Sequence, residues 1–305
     1  DMESILSTPC SNTCDFYYSR KLGVYNQTTY SLADGNAVAY IWDETNGNKG
    51  CCEVGTALIR HLQSLPPNVK SVTMYADTCA GQNRNQFLTA AMWKFLQVSS
   101  LDVLNIKYME SGHSHMEVDH VHAMIEKAKK RSKVYIPDDW YNVIRSCKSK
   151  NKIDVIPLEY TDFLNIKMFI KETKINLKTT NDGNKIQWLK VKHIAMHRNC
   201  AEIYMRYDFD AEFMIIPLIK ERKGRRSSSN PITTDNLMEY SHPNLYDKRL
   251  PISQSKKKDL LSLCTSGIIP AVYKAYYDEL PTSEDATDRL LLPDITESDC
   301  DTDTD

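Results

Sequence analysis

Three acidic positions stand where a folded chain could use them for chemistry. Asp77 closes an apolar run and opens the amide-rich stretch "YADTCAGQNRN", residues 75–85. Asp119 lies in "GHSHMEVDHVHAMIEKAKK", residues 112–130, with Glu117 two positions before it. Asp1 precedes a segment rich in Thr, Tyr and Val. Carboxylates that converge repel one another unless a cation joins them. Oxygen-rich clusters of this kind select hard divalent ions. Two such ions ~3.5–4 Å apart activate an attacking water or hydroxyl and stabilise the leaving oxygen of a phosphodiester. Each acid alone has a plainer use. Asp77 suits a helix cap, Asp119 a first-turn acid that favours the macrodipole, and Asp1 a frayed end.

Other side chains gather near these acids. Gln82, Asn83, Arg84 and Asn85 begin a helical pattern, where free backbone N–H groups suit an anion and Arg84 suits a phosphate. The same residues also read as a capped turn with Asn83 as the cap. His113, His115, His120 and His122 cluster about Asp119. His115 and His122 are read as lining the acidic site near a substrate phosphate. His113 and His120 serve equally well as structural histidines. His115, Asp119, His122 and Glu126 recur at spacings of four, three and four, so on a helix they share one face, which is also a zinc-site pattern. The HxHxxxDH spacing is two residues longer than the HxHxDH of metallo-β-lactamase-like hydrolases.

Whether the acids meet depends on the elements that carry them. "VYNQTTYSL", then Ala33-Asp34-Gly35-Asn36, then "AVAYIWDE" reads as a β-hairpin. A helical stripe runs from Glu53 to about Ser64, before Leu65-Pro66-Pro67. "SVTMYAD" is a short buried strand, Phe87 to Leu96 a helix, "LDVLNIKYME" a strand, and Val118 to Ala128 the core side of a helix. With one strand before the hairpin, the order is βββαβαβα. That is the connectivity of a ribonuclease-H-like fold, an α/β (α+β) architecture with a mixed five-stranded sheet flanked by helices. In such a sheet the ends carrying Asp77 and Asp119 are neighbours, and the third acid belongs at the end of the first strand, where Asp1 stands.

Five regions follow: a core over 1–134 with a truncated first strand, a β-rich accessory region over 135–219, a basic linker over 220–235, a helical segment over 236–281 and an acidic disordered tail over 282–305. Ser255 is a candidate cap for the first C-terminal helix, and Pro270 starts the second.

The chain of 305 residues is 41% hydrophobic and 26% charged, with a net charge of -2, which describes a soluble globular protein with no membrane span. It opens on Asp1 rather than Met and shows no signal-peptide pattern, which reads as a trimmed chain or fragment. Nine scattered cysteines argue for free thiols in a reducing compartment. The tail holds most of the excess acid, so the body is net basic and suits a nucleic-acid partner. Basic stretches run from Lys127 to Lys133, through "KERKGRR" at 220–226 and across Lys256 to Lys258. The second also reads as a nuclear-import signal, and without it the chain is cytoplasmic.

The two central motifs resemble those of a transposon-derived family of metazoan proteins with a DDE-superfamily, ribonuclease-H-like domain. The family pattern is SD-C-GQN-N followed by GHS/T-H-E-D-H-IE. The similarity runs from Asp1 to about Arg131 and continues weakly through "LPISQSKKKDLLSL". Ala76 and Ala80 stand where the family often has Ser and Gly. The resemblance implies a nuclease or strand-transferase with Asp1, Asp77 and Asp119 as catalytic acids. They would hold two Mg²⁺ or Mn²⁺ ions, with Glu117 as the substitute for Asp119. It implies a DNA partner and leaves an oligomer open. Two other readings remain: a catalytically idle domesticated transposase that binds nucleic acid or protein, and a His-rich zinc hydrolase.

Overall fold

The computed structural model describes residues 1–11, 19–110, 115–147, 152–219 and 234–288. The expected acidic tail beyond 288, His113 and the basic "KERKGRR" stretch lie outside the described residues. The chain divides into two compact units. Among the described residues the first comprises 1–49, 115–163 and 246–288, and the second 50–110 and 164–245.

The first unit is built on a four-stranded sheet. Its strands are β1 (Leu6–Thr8), β2 (Leu22–Tyr30), β3 (Ala37–Asp43) and β6 (Ile153–Pro157), in that order. The β2–β3 hairpin pairs Val24 with Asp43 and Tyr30 with Ala37. It turns through Gly35, whose φ of 73° is a left-handed conformation that glycine adopts without strain. β6 adds to β3 in parallel, Ala37 facing Ile153.

Two helices cover this sheet, α3 (Glu117–Lys129) and α4 (Asp139–Arg145). Val121 and Ile125 of α3 and Trp140, Val143 and Ile144 of α4 bury themselves against Leu6, Val24, Ala39 and Ile41. The 3.6-residue period of the apolar positions dictates that face, and it leaves Asp119 and His122 on the flank. The Trp140 indole N–H donates to Thr8 Oγ1 at 2.8 Å, so the ring is buried with its one donor satisfied.

The C-terminal stretch joins the same unit. It holds β10 (Ile252–Ser253), α7 (Gln254–Thr265), α8 (Lys274–Asp278) and β11 (Thr282–Ser283). Ser253, not Ser255, caps α7, its hydroxyl accepting from Lys256 N at 3.2 Å. Thr282 and Ser283 pair in parallel with Ile252 and Ser253, so the first residues of the expected disordered tail are ordered. Pro270 precedes a short 3₁₀ turn, Ala271–Tyr273, that leads into α8.

The second unit has a five-stranded mixed sheet ordered β4 (Ser71–Ala76), β5 (Val103–Tyr108), β7 (His193–His197), β8 (Glu202–Arg206) and β9 (Met214–Pro217). β4 and β5 are parallel and the other pairs antiparallel. Helices α1 (Cys51–Gln63), α2 (Gln86–Val98), α5 (Lys167–Thr173) and α6 (Thr234–Glu239) complete it. Leu88, Ala91, Met92, Phe95 and Leu96 of α2 form one core with Leu104, Ile106, Ile194, Met196, Ile203 and Met205.

The architecture is mixed α and β with a five-stranded mixed sheet, but the strands differ from those the sequence suggests. β4 and β5 pair with β7, β8 and β9, and the hairpin strands form a separate sheet with β6. Among the described residues every cysteine is a free thiol. No helix there is long and apolar enough to cross a membrane.

One buried ion pair ties the C-terminal stretch into the first unit. Lys256, 0% exposed, places Nζ 2.7 Å from Glu44 Oε1 and 2.6 Å from Asp288 Oδ1. Removing one partner of such a group strands a buried charge, at a cost of roughly 3–5 kcal/mol. We expect Lys256→Ala to lower the unfolding free energy by about that much in urea titrations. Pairing it with Glu44→Gln should recover part of the loss. An unchanged denaturation midpoint in the single variant would show that the pair is not buried in solution.

Candidate functional site

Main-chain pairing places Asp1. Its N donates to Thr28 O at 2.6 Å and its O accepts from Thr28 N at 2.8 Å, so residues 1–3 run antiparallel along β2. Met2 N donates to Asp1 Oδ1 at 2.8 Å and orients the carboxylate. A helix start places Asp119. It is the third residue of α3, and its Oδ2 accepts from Met116 N at 2.7 Å. That bond satisfies an N–H that the first helical turn would otherwise leave open, and it fixes the acid at the positive end of the helix.

His122 follows one turn later on the same flank. Asp1, Asp119 and His122 each offer one ligand atom, and these atoms lie within 4.8 Å of one another. His122 Nε2 is buried and has no hydrogen-bond partner. Burial pushes its pKa down to about 4; the neighbouring Asp1 ammonium adds to this, and Asp119 opposes it. The imidazole is therefore neutral at pH 7, the form that binds metals.

The donor set is two carboxylates and one imidazole. Around a common ion with bonds of ~2.1 Å, adjacent ligand atoms stand ~3.0–3.4 Å apart, so the set closes only when side-chain rotation draws its atoms together from within 4.8 Å. Oxygen ligands suit Mg²⁺ and Mn²⁺, whereas an imidazole shifts preference toward Mn²⁺, Zn²⁺ and other transition metals. The unpartnered buried nitrogen fits such an ion.

The other expected residues near Asp119 take different places. Glu117 and His120 are exposed, and Glu117 is not among the three converging groups. His115 is 92% exposed, with Nδ1 4.0 Å from Asp119 Oδ2. Glu126 binds Lys129 Nζ at 2.9 and 3.2 Å, which engages one lysine of the Lys127–Lys133 basic stretch.

Sequence reasoning passed over Glu3, which continues the polar strip inward. It is 5% exposed, and its Oε2 accepts from Asn26 Nδ2 at 2.8 Å. Burial, set against that bond, raises its pKa to about 8. The i, i+2 spacing from Asp1 was the signal that could have found it.

Asp77 belongs to the second unit, just past the C-terminal end of β4. The turn after it folds back on Cys79 O, which accepts from the N–H groups of Gln82, Asn83 and Arg84 at 3.3, 2.9 and 3.1 Å. Asn83 Nδ2 donates to Asp77 Oδ1 at 2.5 Å. Arg84 Nε donates to Val191 O at 2.9 Å, and its guanidinium lies 5.6 Å from the Tyr108 ring centroid. Asn85, not Asn83, caps α2: its Oδ1 accepts from Leu88 N at 3.0 Å, and its Nδ2 donates to Ala80 O. Arg84 and Asn85, expected to hold a substrate phosphate, thus use these groups inside the protein. The Gln82 side chain makes no bond among the described residues.

Residues 48–202 match the family described as "Domain of unknown function (DUF7869)". The chain belongs to the DUF7869 family. The matched region contains Asp77, Asp119 and His122 and stops short of Asp1. No curated protein and no solved structure matches the chain.

Because His122 has a depressed pKa in the folded state, the unfolded chain binds the extra proton between pH 6.5 and about 4. Its contribution to stability is therefore complete above pH 6.5 and is lost as pH falls through that window. We expect urea unfolding in EDTA to show His122→Gln losing less stability than the parent between pH 7 and pH 4.5, by on the order of 2 kcal/mol. Parallel pH profiles for the two proteins would contradict a buried neutral imidazole.

Proposed function

We propose that this DUF7869 chain is a metal-dependent enzyme acting on phosphodiester bonds, with Asp1, Asp119 and His122 holding a divalent cation. The observation that carries the reading is the convergence of two carboxylates on a neutral imidazole whose buried Nε2 has no partner. Like charges at that separation call for a cation. The motif resemblance to DDE-superfamily transposases gives the substrate class, nucleic acid, and with it a nuclear role. When bound, a divalent ion lowers the pKa of its water and neutralises charge developing on a phosphoryl oxygen.

The chain's own residues hold and orient that site. Met2 N–H donates to Asp1 Oδ1 and Met116 N–H donates to Asp119 Oδ2, and these bonds hold the two carboxylates in place. His122 adds a neutral donor without adding charge. The imidazole also favours a second reading, a zinc hydrolase, which shares the same three ligands.

Two measurements separate these readings. Labelled DNA and RNA incubated with the protein and Mg²⁺, Mn²⁺ or Zn²⁺ should be cut, and Asp119→Asn should slow cutting by at least roughly 100-fold. Cutting that survives this substitution removes the proposal. His122→Asp makes the donor set all oxygen and should move the optimum from Mn²⁺ or Zn²⁺ toward Mg²⁺. Salt-sensitive binding to nucleic acid without cutting under any metal would instead identify a binding module.

A further inference from the structure

We propose that the open face of the second unit's sheet binds an unpaired nucleic-acid strand, its bases stacking on Tyr75 and Phe213 and its phosphates meeting Lys107 and Arg206. This deepens the nucleic-acid reading above and rests on it for the biological partner, but the surface is picked out by its own chemistry. Most of it lies beyond the residues that carry the motif resemblance.

The sheet register builds the surface. Tyr75 of β4 pairs with Lys107 of β5, Lys107 with His193 of β7, and His193 with Arg206 of β8. The β8–β9 register, continued by one residue, sets Arg206 opposite Phe213. One row thus crosses all five strands, a span of ~19 Å at ~4.8 Å per strand. The residues one position away, Met74, Ile106, Ile194 and Met205, pack into the core. Side chains alternate along a strand, so the row lies on the opposite face. Tyr75, Phe213 and the nearby Phe209 are 48%, 39% and 40% exposed.

Each ring is held by a cation. Lys107 Nζ lies 5.6 Å from the Tyr75 ring centroid. The Arg206 guanidinium lies 4.6 Å from that of Phe213 and 5.7 Å from that of Phe209. A cation over one face of a ring leaves the other face for a base. Arg206 is fixed in place, since its Nε donates to His193 Nδ1 at 3.1 Å and its Nη1 donates to Phe209 O. His193 accepts because it is neutral: burial, then the charges of Arg206 and Lys107, push its pKa down to about 4. Among the described residues Lys107 Nζ has no hydrogen-bond or ion-pair partner. The row holds two cations and no acid. Acids just past the strand ends are engaged, Glu110 and Asp208 by Lys192 at 2.8 and 3.9 Å and Asp77 by Asn83.

Exposed rings set beside cations suit a ligand with flat π faces and regularly spaced negative charge. An unpaired strand offers both. A duplex hides its base faces in the stack and is read by elements that enter its grooves, which a flat sheet face does not do. An anionic membrane offers the charge without the π faces.

The test titrates the full chain, in EDTA, into a labelled oligothymidylate of about 12 nucleotides and follows fluorescence anisotropy. The parent should bind it in a salt-sensitive way, and at least roughly 10-fold more tightly than a duplex of the same length. Tyr75→Ala and Phe213→Ala, folded by circular dichroism, should each weaken binding roughly 5–150-fold. Lys107→Ala should lower the slope of log affinity against log salt by about 0.7. Val98→Ala, at an exposed apolar position on α2, should bind as the parent does. The proposal is overturned if the strand does not bind, if the duplex binds as tightly, if both folded ring variants bind the strand unchanged, or if phosphatidylserine vesicles are bound in its place. Should one ring variant not fold, the other and Lys107→Ala decide. EDTA keeps the metal centre out of the measurement. Absent strand binding in a protein that still cuts with metal would fell this surface alone, and strand binding in a protein that cuts nothing would fell the enzyme reading alone.

Discussion

Two carboxylates held within 4.8 Å of each other, with an uncharged ring beside them, give a small volume a net negative charge. At an effective dielectric constant of about 20, two unit charges at that distance repel by about 3 kcal/mol. The first unit offsets part of this with fixed dipoles. Met2 N–H points at Asp1, Met116 N–H points at Asp119, and the positive end of α3 faces the same place. None of these is a full charge, and the Asp1 ammonium, which is one, donates to Thr28 O. The arrangement is best satisfied by something positive from solution, and the proposed chemistry rests on that imbalance.

The scaffold that maintains the strain is simple. Asp1 is held by backbone pairing to Thr28, so its position follows from the β2 ladder. Asp119 and His122 are held by a helix whose opposite flank, through Val121 and Ile125, is sealed into the core. Neither depends on a long flexible side chain. Deeper along the same strip, Glu3 stays protonated through neutral pH because burial outweighs its bond to Asn26. A third negative charge close to Asp1 is thereby avoided, although a carboxyl group is present.

Local signals in the sequence found most elements. The hairpin, α1, β4, α2, β5 and α3 all carry clear periodicity and turn residues, and each forms close to its expected bounds. The sheet partners were not readable. β3 pairs in parallel with β6, more than 100 residues later, and β5 takes β7 as a neighbour from a similar distance. Those choices follow from which apolar faces meet in three dimensions, and alternation within one strand carries no information about them. β6 and α5 are too short to announce themselves. The caps were misplaced by two residues in both α2 and α7, where runs such as Asn83-Arg84-Asn85 and Ser253-Gln254-Ser255 offer several side chains able to cap.

The site was half readable for a related reason. Residue type shows which groups are able to donate or accept, but not which are already engaged. Gln82, Asn83, Arg84 and Asn85 look like an anion cradle because all four carry donors. Folded, Asn85 closes its own turn, Arg84 Nε reaches Val191 O, and Asn83 turns its NH₂ to Asp77. Two of the four amide and guanidinium side chains are thus turned inward, Asn85 to its own turn and Asn83 to the Asp77 carboxylate, while the Gln82 side chain makes no bond among the described residues. His122 shows the converse. The sequence already reads it as lining the acidic site, and a buried nitrogen without a partner, set beside two acids, makes it a candidate ligand. In each unit a buried atom is left without a partner beside an acid, His122 Nε2 in the first and Asn83 Oδ1 in the second.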